Sequence, residues 1–564
     1  MGWNMEKPNI LLVTSDQQHF SMLGKVNEIL KTPNLDGLAD EGMSFDRAYC
    51  PNPTCSPSRA SILTGMYPSE HGCWSLGTKL PESTPTLAEY LSEKGYQTAL
   101  IGKAHFQPTK GTKEFPSLET PEFMWDIDFW RNFDKNFYGF KHIELLRNHT
   151  AEHWVGQHYV AWLEDNGCKN WRKYFFRPRG KMFNKEMGNW KIPEKYHYNA
   201  WIAERTNAIL QDCKEDKKPF FVWASFPDPH YPQLVPSPYD KMYSPNDMKL
   251  DDFSFEEHEK NPPYFKEVFK KSPKLAEYKE SGFGVHGLHR HIYNKKKQQK
   301  KLAYSYGMVT FMDKYIGKIL DKVKELGLDD NTIIIFTTDH GDLFGQHGFI
   351  HKCIFHYEDL LRVPMIVKYK NHIPSGKRSD SLQSLVDLAP TLCDLCGLEI
   401  PKSMTGENQS AVWQGEKSSV RDYVICENRH EPHLMHLVSY VEQDYKITVY
   451  ENRDYGEMYD LKNDSGEHNN LWNDDNYKQQ KAQMLYNYLC AEMKKDKTLT
   501  CTSQIDDFTI NIDIASKIAT ILDKCGKNYW DDNNYTDNKI NILLKLISDR
   551  IGSRKMWMPR IAGA

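Results

Sequence analysis

The sequence predicts an α/β fold: a mixed, mostly parallel sheet flanked by helices, followed by a smaller C-terminal α+β domain. Three observations lead there. Short continuous apolar runs at 9–14, 219–226 and 331–338 read as strands buried on both faces, as in a parallel sheet. Amphipathic helical patterns closed by glycine lie between such runs, the alternation expected of βα units. From about residue 418 the pattern changes to short strands typical of an antiparallel sheet.

The elements follow in order. Asn9–Thr14 is the first strand, with Ser15, Asp16 and Gln17 at its end. TPNLDGLADEGMSFDRAYC gives a helix, a stop at Gly42 and a second strand; TPTLAEYLSEKGYQTALIGKAHF gives a helix, a cap at Gly95 and a strand ending before Lys103 and His105. PFFVWASF runs into Pro227-Asp228-Pro229-His230, and NTIIIFTT into Asp339-His340-Gly341-Asp342. Sites in open α/β sheets form beyond the carboxyl ends of the strands, so four strands that each end in charged or imidazole groups point to one shared site. RVPMIV reads as another buried strand, and SLVDLAPTLCDLCGL as a helix closing the main domain.

A chain of 564 residues exceeds what one core usually organises, and the expected domains are 1–418 and 419–564. The net charge of −4, with no basic tail, speaks against a nucleic-acid partner. The start MGWNMEKPNILLVTSDQQ enters a strand-like run without an apolar leader core, and no run is long enough to span a bilayer. The expectation is a soluble cytoplasmic protein with no membrane partner.

Two insertions, roughly 106–200 and 232–300, are rich in aromatic residues (Trp125, Trp130, Trp154, Trp162, Trp171, Trp190) and basic ones (Arg172, Lys173, Arg177, Arg179, Lys181). Most of the aromatics read as packing onto the sheet. Lys295–Lys297, Lys300 and Lys301 open a helix through about Leu320 and read as a solvated face. His286, His289 and His291 read as a surface loop, and Cys393 and Cys396 as apolar helix residues rather than a redox or metal pair. Asn148-His149-Thr150 matches a glycosylation acceptor without other support. The tail beyond 500 ends in KMWMPRIAGA, whose apolar character suits packing against a partner, including a second copy of the chain.

The stretch 51–66 carries the chemistry. Pro57 suits a helix's first turn, so Cys55 falls at a helix N-terminus, where free N–H groups favour negative charge, with Arg59 one turn further on. Asp16, Gln17, Asp339 and His340 offer two carboxylates, an amide oxygen and an imidazole. That set suits Ca²⁺, with Mn²⁺ or Zn²⁺ left open by the imidazole.

Cys55-Ser56-Pro57-Ser58-Arg59 followed by Leu63-Thr64-Gly65 resembles the signature of type I sulfatases in the alkaline phosphatase superfamily. The likeness extends over residues 8 to about 475, including RVPMIV, VDLAPT and EMYDL. It implies an alkaline-phosphatase-like fold and sulfate-ester hydrolysis. A maturation enzyme would convert Cys55 to formylglycine, whose hydrate is the nucleophile. The resemblance assigns Asp16, Gln17, Asp339 and His340, with residue 55, to the divalent metal. Arg59 would stabilise the attacking hydroxyl. Lys103 and His105 of Gly-Lys-x-His would flank it, His105 taking the proton that frees the sulfate. His230 and Lys352 would hold the sulfate and protonate the departing alkoxide. His351 and His356 compete with Lys352 for its place, and Asp342 and His347 stand further out.

Gln17 and His340 replace the Asp and Asn of many members, a variation found in relatives that include phosphonate monoester hydrolases. Gly-Lys-x-His-Phe leans toward choline-sulfatase-like or carbohydrate sulfatases. The substrate class is therefore a sulfated sugar or other small organic sulfate. A phosphonate or phosphate ester hydrolase and a non-catalytic binding protein on the same scaffold stay open as alternatives.

Overall fold

The computed structural model describes residues 7–499 apart from 110, 112–115, 148–154, 176–186, 252, 279–284, 286, 353 and 432–434. The Asn148 triplet, Trp154, Arg177, Arg179, Lys181, His286 and the tail with its proposed partner surface lie outside the described residues.

The strands are β1 (Asn9–Ser15), β2 (Met43–Tyr49), β3 (Gln97–Gly102), β4 (His142–Leu145), β5 (Met187–Asn189), β6 (Phe220–Ser225), β7 (Gln233–Val235), β8 (Thr332–Thr338), β9 (Leu343–Phe344), β10 (Ile350–His351), β11 (Arg362–Lys368), β12 (Lys377–Ser379), β13 (Gln383–Ser384), β14 (Val424–Glu431), β15 (Met435–Val441), β16 (Tyr445–Tyr450) and β17 (Gly456–Asp460). A nine-stranded sheet runs β12-β2-β11-β8-β1-β6-β3-β4, with β13 also on β2. Strand β1 lies between β6 and β8, parallel to both, and β3 lies parallel to β4 and β6. The exception is β11, antiparallel to β2 and β8.

Why β1 reads as unbroken apolar sequence is visible in its packing. Ile10 and Leu12 face one hydrophobic core, and Leu11 and Val13 the other. Side chains alternate faces along a strand, so a strand covered on both faces needs apolar residues at every position. The second core is closed by helix α1 (Pro33–Glu41) and by the helices Tyr198–Asp216 and Lys295–Glu325. The first is closed partly by helix α2 (Cys55–Thr64), through Ala60, Ile62 and Leu63, and by the helix Leu388–Leu395.

The C-terminal sheet β14-β15-β16-β17 is antiparallel throughout. Ile425, Val438, Ile447 and Met458 pack beneath Met484, Leu485 and Tyr488 of the helix Lys478–Leu499. Its other face, with Val424, Cys426 and Leu437, joins the main core. No helix among the described residues is long and apolar enough to cross a membrane.

Two sequence expectations, for Lys301 and His291, are corrected. Gly42 ends α1 as expected, with an extended backbone. Its requirement is space, since a Cβ there would stand 2.2 Å from the Val367 carbonyl oxygen. Lys301 is not on a solvated face. It is buried, with Nζ 3.1 Å from His351 Nδ1 and 3.8 Å from Asp342, because its helix passes beneath the β9–β10 ribbon. His291 is buried as well, its Nε2 2.8 Å from the Gly287 carbonyl and its ring against Phe349 and Phe355. Of the insertion tryptophans, Trp130, Trp171 and Trp190 are core residues, whereas Trp125 is 46% exposed.

Candidate active site

The site is assembled at the carboxyl ends of β1, β3, β6 and β8, over the N-terminus of α2. Cys55 is the first residue of α2, all ten residues of which are buried. At the opposite end of α2, Gly65 caps with φ of 67°, a conformation glycine takes without strain.

Around Cys55 Sγ stand Lys352 Nζ at 2.6 Å, His340 Nε2 at 3.3 Å, Asp16 Oδ1 at 3.7 Å and Lys103 Nζ at 3.8 Å. Burial and Asp16 push the thiol upward, but Lys103 and Lys352 outweigh them and hold it below its ordinary range. The two ammonium groups and the helix terminus therefore form a cradle for negative charge.

Arg59, wholly buried, ties the strand ends together. Its Nε donates to Asp339 Oδ2 at 3.0 Å, and its Nη1 donates to the Lys103 carbonyl at 2.9 Å and to Ser225 Oγ at 2.8 Å. Its Nη2 lies 3.9 Å from Asp16 and has no hydrogen-bond partner among the described residues. Asp16 pairs with Lys103. Burial would raise the Asp16 carboxyl, yet Lys103, His230, Arg59 and Lys352 hold it well below the carboxylate range.

Asp16, Cys55, Asp339 and His340 are all buried, and one ligand atom of each lies within 4.8 Å of the others. His340 Nδ1 lies 2.8 Å from the Gly341 carbonyl and must donate to it, so in the neutral imidazole Nε2 turns its lone pair toward Cys55. Gln17 Oε1 is buried without a partner among the described residues, at a residue with φ of 60°. An orphaned amide oxygen, an oriented imidazole and two carboxylates fit a divalent cation, and these four residues with residue 55 would hold it.

Three further predicted residues, Lys352, His230 and His105, adjoin this cluster. Lys352 follows β10, and its Nζ also lies 3.1 Å from His230 Nε2 and 3.4 Å from His340 Nε2. Burial would lower the Lys352 ammonium, but Cys55, Asp16 and Asp339 hold it above its ordinary range. His105, two residues past Lys103, donates its backbone N–H to Glu119 at 2.9 Å. Burial pushes its imidazole well down, and Arg147, Lys103, Lys352 and Arg59 add to the shift. Its Nδ1 has no partner among the described residues. His351 and His356 point elsewhere: His351 to Lys301, and His356 to Ser439 Oγ at 2.7 Å. Asp342 lies by Lys301, and His347 pairs with Glu257 at 3.0 Å.

Several supporting residues escaped the sequence reading. Ser225 donates to the Lys103 carbonyl at 2.7 Å while accepting from Arg59; its position at the end of an apolar run was the available signal. Asp228 accepts from Tyr198 and from Asn199, and burial pushes its carboxyl up to about 7. The buried Glu119–Arg147 pair, 3.0 Å apart, comes from the insertion, where no local pattern marks it.

This geometry, an acidic metal cluster beside an activated side chain under three fixed cations, is that of a hydrolase acting on an oxyanion ester. The model of the Sulfatase family matches residues 8–398, and one described as N-sulphoglucosamine sulphohydrolase, C-terminal, matches residues 345–495. The chain is 30% identical over 493 residues to an arylsulfatase of Clostridium perfringens, covering 84% of this chain and 92% of that one. It is 28% identical over 502 residues to an N-acetylglucosamine-6-O-sulfatase of Bacteroides thetaiotaomicron, covering 85% of each. Among solved structures, the phosphonate monoester hydrolase of Agrobacterium radiobacter matches with a TM-score of 0.69 at 24% identity, over 87% of this chain and 96% of that one. That last likeness speaks for the fold alone. The chain belongs to the sulfatase family and is a sulfuric ester hydrolase on an alkaline-phosphatase-like fold.

Proposed function

We propose that the protein hydrolyses sulfate esters of carbohydrates, using formylglycine made from Cys55. The observation that carries this reading is the convergence of Asp16, Asp339 and His340 on Cys55 beneath Lys103, Lys352 and Arg59. The named activity of the Bacteroides relative supports the sugar.

In this reading the thiol Sγ stands where a hydroxyl of hydrated formylglycine would lie; that hydroxyl ionises, its proton passing to solvent, and the alkoxide attacks sulfur as the ester S–O bond breaks. A divalent cation, Ca²⁺ by the preponderance of oxygen donors, polarises the sulfate oxygens when bound. Arg59 and Lys103 hold the anionic charge that spreads over the attacked group. Lys352, hydrogen-bonded to His230, gives a proton to the departing ester oxygen. His105, neutral through burial, takes the proton of the second hydroxyl of residue 55; the C–O bond to sulfate then breaks and the aldehyde returns. We place the boundary of the C-terminal lobe near residue 418, ahead of β14. The eight buried free thiols among the described cysteines support a reducing, cytoplasmic setting.

The test is release of sulfate from a panel of sulfated sugars, choline sulfate, aryl sulfates and phosphonate esters, by protein coexpressed with a formylglycine-generating enzyme. Sulfated sugars are expected to give the highest kcat/KM. Phosphonate turnover without sulfate release would replace this reading with the phosphonate one. No turnover, with residue 55 still a thiol after coexpression, would leave a binding protein.

A further inference from the structure

Away from Cys55, three residues distant in sequence bring metal-ligating atoms together. Glu257 lies in the short helical segment Phe255–Lys260, His347 in the loop between β9 and β10, and His468 beyond β17. Glu257 Oε1 is 3.0 Å from His347 Nδ1, and Glu257 Oε2 is 3.0 Å from His468 Nδ1. One ligand atom from each residue lies within 4.8 Å of the other two.

We propose that Glu257, His347 and His468 form a second metal site, for Zn²⁺ or a similar first-row divalent ion. Two imidazoles and one carboxylate are the borderline donors such ions take, and they lack the six or more oxygens that calcium asks for. Donors about 2.0–2.2 Å from a tetrahedral centre sit about 3.3 Å apart; the two carboxylate–imidazole spacings of 3.0 Å are close to that value, and the whole set lies within 4.8 Å. In the neutral imidazoles, binding moves the proton from Nδ1 to Nε2; a protonated imidazole would release one proton instead.

The surroundings hold the donors in place. The His347 ring stacks on Tyr357 with centroids 3.6 Å apart and planes within 8°. His258 Nε2 lies 2.9 Å from the His347 carbonyl, to which it donates, so His258 supports the loop instead of competing as a ligand. Glu257 and His347 are 8% and 3% exposed while His468 is 46% exposed, which leaves one side open for a water as fourth ligand. The site would tie the β9–β10 loop, which lies on the other side of β10 from Lys352, to both the insertion and the C-terminal lobe.

The test uses the full-length enzyme with its catalytic site kept in excess Ca²⁺. Zn²⁺ binding is measured by equilibrium dialysis and metal analysis, and Co²⁺ is used as a spectroscopic probe. The expectation is one Zn²⁺ per chain that persists in Cys55→Ser. Co²⁺ should give tetrahedral d–d bands without thiolate charge transfer. His468→Ala, at an exposed position, should weaken binding by more than about 10-fold, the loss that disturbing a mere supporting group already causes. Glu257→Gln should do the same, with far-UV circular dichroism to check folding. Equal Zn²⁺ binding in wild type and His468→Ala, or no Zn²⁺ beyond that lost in Cys55→Ser, would overturn the proposal and leave a hydrogen-bonded carboxylate–imidazole cluster.

Discussion

His230 and Lys352 meet with Nε2 3.1 Å from Nζ, while Nδ1 of the same imidazole faces the Tyr231 carbonyl at 2.6 Å. A carbonyl only accepts, so Nδ1 carries the hydrogen and Nε2 offers its lone pair to the ammonium. The transferable proton in this pair therefore resides on Lys352, and His230 orients it.

Both Lys352→Ala and His230→Ala should slow cleavage most where the leaving oxygen is least able to carry negative charge. Alkyl and sugar sulfates are expected to lose about 10²–10⁴ in kcat/KM, and activated aryl sulfates far less. A leaving-group series for each variant measures this. Equal losses across the series would show that the pair binds sulfate without supplying a proton.

Cys55→Ser should abolish sulfate release in a host that converts only cysteine, because a serine hydroxyl cannot become the aldehyde by that route. Its fold should be unchanged, since Ser is smaller and the site around residue 55 is polar. An aldehyde-reactive probe should label the wild type and not the variant. Undiminished turnover by unlabelled protein would sink the mechanism.

The fold was largely legible because β1, β6 and β8 are covered on both faces and so are written as continuous apolar runs. The site followed from what stands at their ends: Asp16, His230 and Asp339. The edge of the sheet was less clear. Strand β2 has the half-buried pattern of MSFDRAY, and its antiparallel partner β11 is set by long-range pairing that no local signal encodes. Lys301 departs from expectation for a related reason: a lysine buried under the ribbon looks like its exposed neighbours.

Asp339 accepts from the backbone N–H of Gln17 at 3.0 Å and of His340 at 3.1 Å through Oδ1, and from Arg59 through Oδ2. Asp339→Asn keeps the shape but points an amide donor at one of these donors and leaves Arg59 less well neutralised. Removing one partner of a buried ion pair costs about 3–5 kcal/mol. Lower stability in urea, loss of bound divalent ion and loss of most turnover are expected together. Chelation of the wild type should reproduce the last two. Full activity after confirmed metal loss would count against the cluster.

His71 provides a pH test away from the chemistry. Its Nδ1 accepts from the Cys73 N–H at 3.1 Å, so Nε2–H donates to Ser61 Oγ at 3.0 Å, and burial pushes its pKa down to about 4. In the unfolded chain the value is about 6.5. Between these values the unfolded state binds a proton that the folded state refuses, so stability is lost as pH falls through this window. The contribution of His71 to that loss approaches about 3 kcal/mol. His71→Asn should be less stable than wild type at pH 7.5, and the gap should narrow toward pH 4.5. Urea unfolding at a series of pH values reads the gap; a constant difference would mean that His71 is not held neutral.

His105 separates the two halves of the reaction. It lies past β3 with φ of 60°, its backbone fixed by Glu119, and its ring is kept neutral by burial and by nearby Arg147, Lys103, Lys352 and Arg59. A neutral imidazole at neutral pH can accept a proton but has none to spare for a leaving oxygen. His105→Ala should therefore release the first alcohol at close to the normal rate and then stall. With an activated aryl sulfate in a rapid-quench experiment, the expected trace is a burst of one alcohol per converted active site. The steady rate that follows should be lower than wild type by about 10²–10⁴. Lys352→Ala, acting on the first half, should show no burst with a sugar sulfate. If His105→Ala loses the burst and the steady rate in proportion, His105 acts before the alcohol leaves, and the two-step assignment fails.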